Sequence, residues 1–366
     1  MMHGIIPPYL LDQVASLDDE RFRNAARAAQ RSLATSDELR DERAVRGTET
    51  RLAIGFGETA AVTEPTLDRT IYDTGTSQQL PGREVRGEGG PDTGDIAVTE
   101  AYDGLGATFA LFAEVFGRDS IDGNGLPLEA TVHYGKKYDN AFWNGERMVF
   151  GDGDGEVFER FTISLTVIGH ELAHGVTQFT SGLEYEGQSG ALNESMSDVF
   201  GVLVEQYALG QSVEQASWLV GEGLFTPEVE GTALRSMKAP GTAYDDDVLG
   251  KDPQPDHMDD YIETQQDNGG VHLNSGIPNR AFYLVAESLG GNAWERAGAI
   301  WYDTLLTNLD DRTDFAGFAA ATVTAAADRY GEPSYEVAAV VTGWAGVGID
   351  VGAPQPAADD AIEAGE

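Results

Sequence analysis

The sequence predicts an α+β protein of two domains, a β-rich half followed by a helical half, and three observations carry that expectation. The chain has 366 residues, well beyond the roughly 150 of an ordinary single domain. Between residues 69 and 160 its apolar residues come in short β-rich runs, RTIYDT, ATVHYG and MVFGDG, broken by Gly, Asp and Asn turns. After residue 160 they recur at helical spacing, over 163–180, 190–209, 276–289, 293–308, 313–330 and 334–344.

Charge divides the chain differently. Residues 1–51 carry eight arginines and nine acids, a net of −1, so 15 bases and 53 acids in the remainder supply −38 of the formal −39. Within the leader, RFRNAARAAQRSL spaces Arg23, Arg27 and Arg31 four apart, a basic stripe on one helix face that either lies on the acidic remainder or is simply solvated. The resulting organisation is a leader over 1–50, a linker over 51–68 where periodicity fades, domains over 69–180 and 181–350, and an acidic Pro/Ala-rich tail over 351–366, expected to be disordered. The leader's Pro7, Pro8 and Tyr9 resemble a WW ligand only superficially, because that motif needs a residue between the second Pro and the Tyr.

Composition excludes several chemistries. There is no cysteine, hence no disulfide, thiolate nucleophile or Cys-bound metal, so a metal would rest on His, Asp and Glu. A charge of −39 with four lysines repels nucleic acid and anionic lipid, and neither is expected as a partner. It serves solubility or, alternatively, adaptation to high salt. No apolar run approaches the ~18 residues of a membrane span, and the first residues, MMHGIIPPYLLDQVASLDDERF, lack the basic start, apolar run and small-residue cleavage site of a classical secretion signal.

The segment VIGHELAHGVT holds two of the chain's six histidines. Residues four apart share a helix face, so His170 and His174 are spaced to turn two ring nitrogens toward one ion. Glu171 borders the same cleft without being a ligand, placed to take a proton from the attacking water. The pattern alone also arises by chance on an amphipathic helix. Two histidines need a third protein ligand, and SGALNESMSDVFGVLVEQY offers Glu194, with Asp198 one turn further on to hold the outer nitrogen of a ligand histidine. Acids on so apolar a helix are costly unless paired or metal-bound.

With these motifs the chain resembles the thermolysin-like zinc metalloproteases, the gluzincins, over roughly residues 69–350. HELAH is similar to the family's zinc helix and NESMSD to its third-ligand segment, which implies zinc held by His170, His174 and Glu194 with Asp198 in support. YDNAFWNG resembles the substrate-binding edge strand and passes that role to Asn140 and Ala141; SGLEYEG puts Tyr185 at the family's transition-state tyrosine. DNGGVHLNSGIPNRA implies His272 as a second oxyanion donor oriented by Asp267, and LRSM implies Arg235 on a substrate carbonyl. The resemblance further implies a monomeric endopeptidase acting on proteins and peptides, with Glu171 as base. Phe158, Phe161, Val167, Val220 and Leu234 would line the pocket after the cleaved bond and favour large apolar residues there. A short leader with IIPPYLL is similar to the protealysin-like branch, which implies a propeptide covering the active site until it is removed. Family resemblance suggests secretion; the absent classical signal leaves the cytoplasm as the alternative.

The pattern departs from the family at calcium. Glu205 and Glu222 match two calcium ligands, but Thr166, Ser217 and Leu219 stand where acids are expected, and Phe225 and Thr232 weaken a further site. GDGDGEVFERFTI is no EF-hand, since its sixth and twelfth positions are Val157 and Ile163, and it reads as a tight turn. His3, His133 and His257 read as strand, turn or loop residues. A rival function is a catalytically silent homologue that holds a partner in the cleft, against which the joint presence of Glu171, Tyr185 and His272 argues; a structural surface protein is suggested only by the acidity.

Overall fold

A six-stranded mixed sheet anchors the first half of the molecule. The computed structural model describes residues 3–35 and 64–352; most of the expected linker, and the tail from residue 353, lie outside the described residues. The strands are β1 (His3–Gly4), β2 (Arg69–Asp73), β3 (Arg83–Gly87), β4 (Leu128–Val132), β5 (Ala141–Trp143) and β6 (Met148–Phe150), in the order β1-β5-β6-β4-β2-β3. Strand β4 runs parallel to β2 and β6, and the other neighbours are antiparallel. The central strands are apolar and buried, with Ala130, Val132, Trp143, Met148 and Phe150 at most 2% exposed.

Two features of this half differ from the sequence expectation. A long helix, α3 (Ile96–Ala110), crosses a region expected to be largely β. It starts on Asp95, whose carboxylate accepts the N–H of Ala97 and Val98. Its glycines read as breakers but serve close approach: a Cβ on Gly104 would lie 2.3 Å from Ile168 Cδ1, and one on Gly106 would lie 2.5 Å from the Arg69 guanidinium. The second feature is His133, expected to be an ordinary strand or turn residue. Its backbone is left-handed at φ 55, and its ring is clamped between Asp152 at 2.8 Å and Asp95 at 3.0 Å. Those two carboxylates outweigh burial and raise its pKa to about 9.

The leader folds onto this half. Pro7 and Pro8 begin the helix α1 (Pro8–Ala15), where a fixed φ and a missing N–H are no handicap. Leu10, Leu11 and Val14 sink into the core, each at most 1% exposed. Residues 23–35 form a second helix, α2, whose packed face is Ala25, Ala28, Ala29 and Ser32. The basic stripe takes the solvated alternative: Arg23, Arg27 and Arg31 are exposed, Arg23 pairs with Glu20 of the leader itself, and among the described residues Arg31 reaches across, to the Lys136 carbonyl at 3.4 Å. The alanine face wins because it lets the helix come close, whereas guanidinium groups stay solvated at little cost.

The second half is helical: α4 (Leu165–Gln178), α5 (Gly187–Leu209), α6 (Asp267–Asn274), α7 (Gly276–Leu289), α8 (Ala297–Leu306), α9 (Phe315–Tyr330) and α10 (Tyr335–Ala345). A short ribbon of β7 (Leu219–Val220) with β8 (Arg235–Ser236) packs beside α5. Helices α4 and α5 touch backbone to backbone. A Cβ on Gly169 would lie 3.0 Å from Gly201 Cα, and one on Gly201 would lie 2.5 Å from the Thr166 carbonyl oxygen. Glycine at both positions lets two polar helix faces meet at a separation that any side chain would prevent.

Candidate metal centre and cleft

The meeting of α4 and α5 is lined by ionisable groups with almost no solvent contact. From α4 come His170, Glu171 and His174; from α5 come Asn193, Glu194, Ser197 and Asp198; all are at most 7% exposed. His170 Nε2 and His174 Nε2 lie 3.1 Å apart. Glu194 offers Oε2 at 3.6 Å from the first and Oε1 at 3.4 Å from the second. Donor atoms bound to one tetrahedral zinc at 2.0–2.1 Å sit about 3.3 Å from each other. The three residues match that triangle, and among the described residues they are the group of His and acid side chains that could hold a metal ion.

The outer sides of the two rings are fixed as a metal ligand requires. His170 Nδ1–H donates to Asp198 Oδ1 at 2.7 Å. His174 Nδ1–H donates to Asn193 Oδ1 at 2.8 Å, and Ser197 Oγ lies 3.0 Å from the same nitrogen. Asp198 is itself saturated: Arg235 donates to both its oxygens at 2.8 Å and Asn279 Nδ2 donates to Oδ2 at 2.8 Å. Burial alone would raise the Asp198 carboxyl, but Arg235 and His170 overrule it and hold it well below the usual range. Asn193, Ser197 and Asn279 were not picked out in the sequence. The first two lie within NESMSD and were open to the same helical arithmetic; Asn279, on α7, had no signal beyond its tertiary contact.

Around the triangle stand the remaining candidates. Glu171 is fully buried, and its Oε2 accepts the Trp143 backbone N–H at 2.9 Å, which ties it to β5. Tyr185, in the loop between α4 and α5, donates its hydroxyl to Glu194 and lies 3.2 Å from His272 Nε2. Burial and the neighbouring Glu194 push its pKa well above the ordinary value, so it remains a donor. His272 Nδ1–H donates to Asp267 Oδ1 at 2.7 Å, and Asp267 Oδ2 accepts the His272 backbone N–H at 2.9 Å. Burial opposes a charge on His272, yet Asp267 and Glu194 raise its pKa to about 9. That clasp depends on a left-handed run, Asp267 (φ 52), Asn268 (φ 51), Gly269 (φ 83) and Gly270 (φ 77), which folds the Asp267 side chain back over its own helix. Two of the four are not glycine, a local strain of the kind found at functional sites.

A peptide already lies in the cleft. Leader residues His3 and Gly4 pair antiparallel with Trp143 and Phe142. Ile5 N donates to Ala141 O at 3.1 Å, and Ile6 N donates to Asn140 Oδ1 at 3.0 Å. Asn140 Nδ2 returns a bond to Ile6 O at 3.3 Å, and Arg235 Nη1 donates to Ile5 O at 3.2 Å. Asn140, Ala141 and Arg235, singled out for peptide binding, thus hold extended backbone. Ile5 and Ile6 are buried in the apolar core that also contains Phe158, Phe161, Val167, Val220 and Leu234.

A model of the thermolysin metallopeptidase catalytic domain matches residues 64–178, and one of the thermolysin metallopeptidase alpha-helical domain matches residues 181–349. The chain belongs to the thermolysin metallopeptidase family. Among its relatives, an extracellular metalloprotease of Pectobacterium carotovorum subsp. carotovorum is 51% identical over 352 residues, covering 95% of this chain and 96% of that protein. The protease PrtS of Photorhabdus sp. (strain Az29) is 48% identical over 354 residues, covering 95% and 92%. The solved precursor of protealysin, a metalloproteinase from Serratia proteamaculans, superposes with a TM-score of 0.84 at 50% identity, covering 95% of this chain and 99% of that one. This thermolysin-family chain is therefore a metalloendopeptidase whose two-domain fold is that of a protease precursor.

The family's calcium positions look different. Thr166, where an acid was expected, accepts the Gly221 N–H on Oγ1 at 2.9 Å and meets Ser164 Oγ at 2.9 Å. A neutral hydroxyl tie thus joins the start of α4 to the loop carrying Glu222. Glu205 retains its carboxyl, but burial and the nearby Glu222 raise its pKa to about 7. The GDGDG run is a tight turn: the Asp154 carboxylate accepts the N–H groups of Glu156, Val157 and Phe158 at 2.6, 2.7 and 3.3 Å.

Proposed function

We infer that this metalloendopeptidase is zinc-dependent and is made as a latent precursor. The observation that carries the reading is the triangle of His170, His174 and Glu194, with both outer imidazole nitrogens bonded and Glu171 beside it. Zinc held there would supply a polarised carbonyl and a more acidic water. Glu171 takes the proton of the attacking water and delivers it to the leaving amine. Tyr185 and His272, the latter charged and oriented by Asp267, donate to the oxygen of the tetrahedral intermediate. Asn140, Ala141 and Arg235 hold the substrate backbone antiparallel to β5, as they hold the leader. Phe158, Phe161, Val167, Val220 and Leu234 favour a large apolar residue after the cleaved bond.

Residues 1–50 act as the propeptide, residues 69–180 and 181–350 as the two domains of the protease. The leader occupies the cleft: Ile5 O accepts from Arg235 and Ile6 O from Asn140, and Pro7 follows. Removal within the linker opens the cleft, and an extracellular relative supports a secreted enzyme.

The test is casein hydrolysis by the matured protein with and without 1,10-phenanthroline, together with N-terminal sequencing of that form. Absent or chelator-insensitive hydrolysis would sink the assignment and favour a silent binding protein. Glu171→Gln is expected to keep stoichiometric zinc and lose peptide hydrolysis by about 10²–10⁴-fold, and near-normal turnover would remove Glu171 as the base.

A further inference from the structure

The leader touches the enzyme at a second place, through its second helix. Helix α2 starts with N–H groups that have no partner inside the helix. The Glu156 carboxylate, from the protease, receives two of them: Asn24 N and Ala25 N each donate to Oε2 at 3.0 Å, and Asn24 Nδ2 donates to Oε1 at 2.5 Å. Glu156 therefore does across the interface what a capping Asp or Ser does within a chain, with a full negative charge at the positive end of the helix dipole.

The cap is presented rigidly. Asp154 fixes the turn through the Glu156, Val157 and Phe158 N–H groups, and Thr226 Oγ1 donates to Glu156 O at 2.7 Å. Two turns along α2, Ser32 Oγ accepts the Asp139 N–H at 2.9 Å. Between these points Ala25, Ala28 and Ala29, all fully buried, seat the helix. Burial pushes the Glu156 carboxyl up, but the Asn24 and Ala25 donors outweigh it and hold it below the usual range.

We propose that Glu156 is a docking site for the folded leader helix, a second anchor beside the strand pairing and the buried Ile5 and Ile6 that hold residues 3–6 in the cleft. The proposal rests on the reading of the leader as an inhibitor, and it assigns leader retention to a residue with no part in peptide hydrolysis. A chain cut in the linker then keeps its leader bound through α2, so activation requires release of that helix as well as the cut.

The experiment uses the full-length precursor, with Glu156→Ala on the enzyme side and Asn24→Ala on the leader side; the second residue is absent from the matured enzyme. Glu156→Ala is expected to speed amide exchange in α2 and shorten the activation lag about five-fold, the equivalent of a lost helix cap. Asn24→Ala should give a smaller change in the same direction, and the matured Glu156→Ala enzyme should keep its kcat/KM on a short peptide. Unchanged exchange and lag in both variants, from a wild-type precursor that is latent, would overturn the docking role alone. A wild-type precursor as active as its matured form would instead overturn the inhibitory leader itself.

Discussion

The two halves of helix α5 carry buried acids under opposite regimes. In the first half, Glu194 and Asp198 are fully enclosed and surrounded by His170, His174, Tyr185, Arg235 and Asn279. Near the far end, Glu205 is partly buried and faces a like charge, Glu222, which with burial raises its pKa to about 7. Burial costs both stretches the same kind of desolvation. Asp198 recovers it from the Arg235, His170 and Asn279 donors arranged around it; Glu205 is relieved by holding a proton.

Removing a partner from the saturated end should produce the largest effect. Asp198→Ala strands the buried Arg235 and frees the outer face of His170, so it is expected to cost about 3–5 kcal/mol of stability and about 10–100-fold in zinc affinity. Thermal unfolding and a chelator competition measure the two, and unchanged zinc affinity would show that His170 needs no such support. Next is Gly201→Ala, which drives a methyl into the Thr166 carbonyl. Separating α4 from α5 should cost about 1–3 kcal/mol and loosen zinc binding with it; a variant as stable as the wild type would mean that the helices can part without disturbing the centre.

The loose end should respond in the other direction, and by less. A Glu whose folded pKa is raised holds a proton in the folded state that the unfolded state has lost, so stability falls as pH rises from its ordinary value, about 4.3, through about 7. Glu205→Gln removes that loss. Its melting temperature should exceed the wild type's above pH 7 and converge with it below about pH 4.3. A calcium-dependent rise in the wild-type melting temperature that Glu205→Gln abolishes would restore a cation to this end and erase the contrast.

Much of the centre was legible in the sequence because its geometry is local. Two histidines one turn apart, and an acid pair one turn apart, define faces of single helices whatever surrounds them. The helical segments after residue 160 were readable from the helical spacing of their apolar residues, although α4 and α5 are buried nearly all round. Helix α3 was not, because Gly104 and Gly106 mimic breakers and their purpose lies in Ile168 and Arg69, which are distant in sequence. Asn279 and Glu156 were silent for a related reason: each makes its contact across the fold, with Asp198 and with α2. The arginine stripe left two readings open, because its spacing is the same whether its face turns to the body or, as here, to solvent. Glycines 169 and 201, which let the two motif helices touch, carry no signal until both helices are placed.

The His133 clamp sets an alkaline ceiling on the first domain. Its folded pKa of about 9 stands above the free value of about 6.5, so the charged ring's contribution is complete below the free value and is lost as pH climbs through the folded one. Asp95 caps α3 and also grips this ring, so deprotonation loosens the helix start and the strand turn together. In His133→Asn the melting temperature should lie below the wild type's at neutral pH and meet it in strongly alkaline buffer. The first domain would thereby have its working range bounded by one imidazole that is no part of the candidate metal centre.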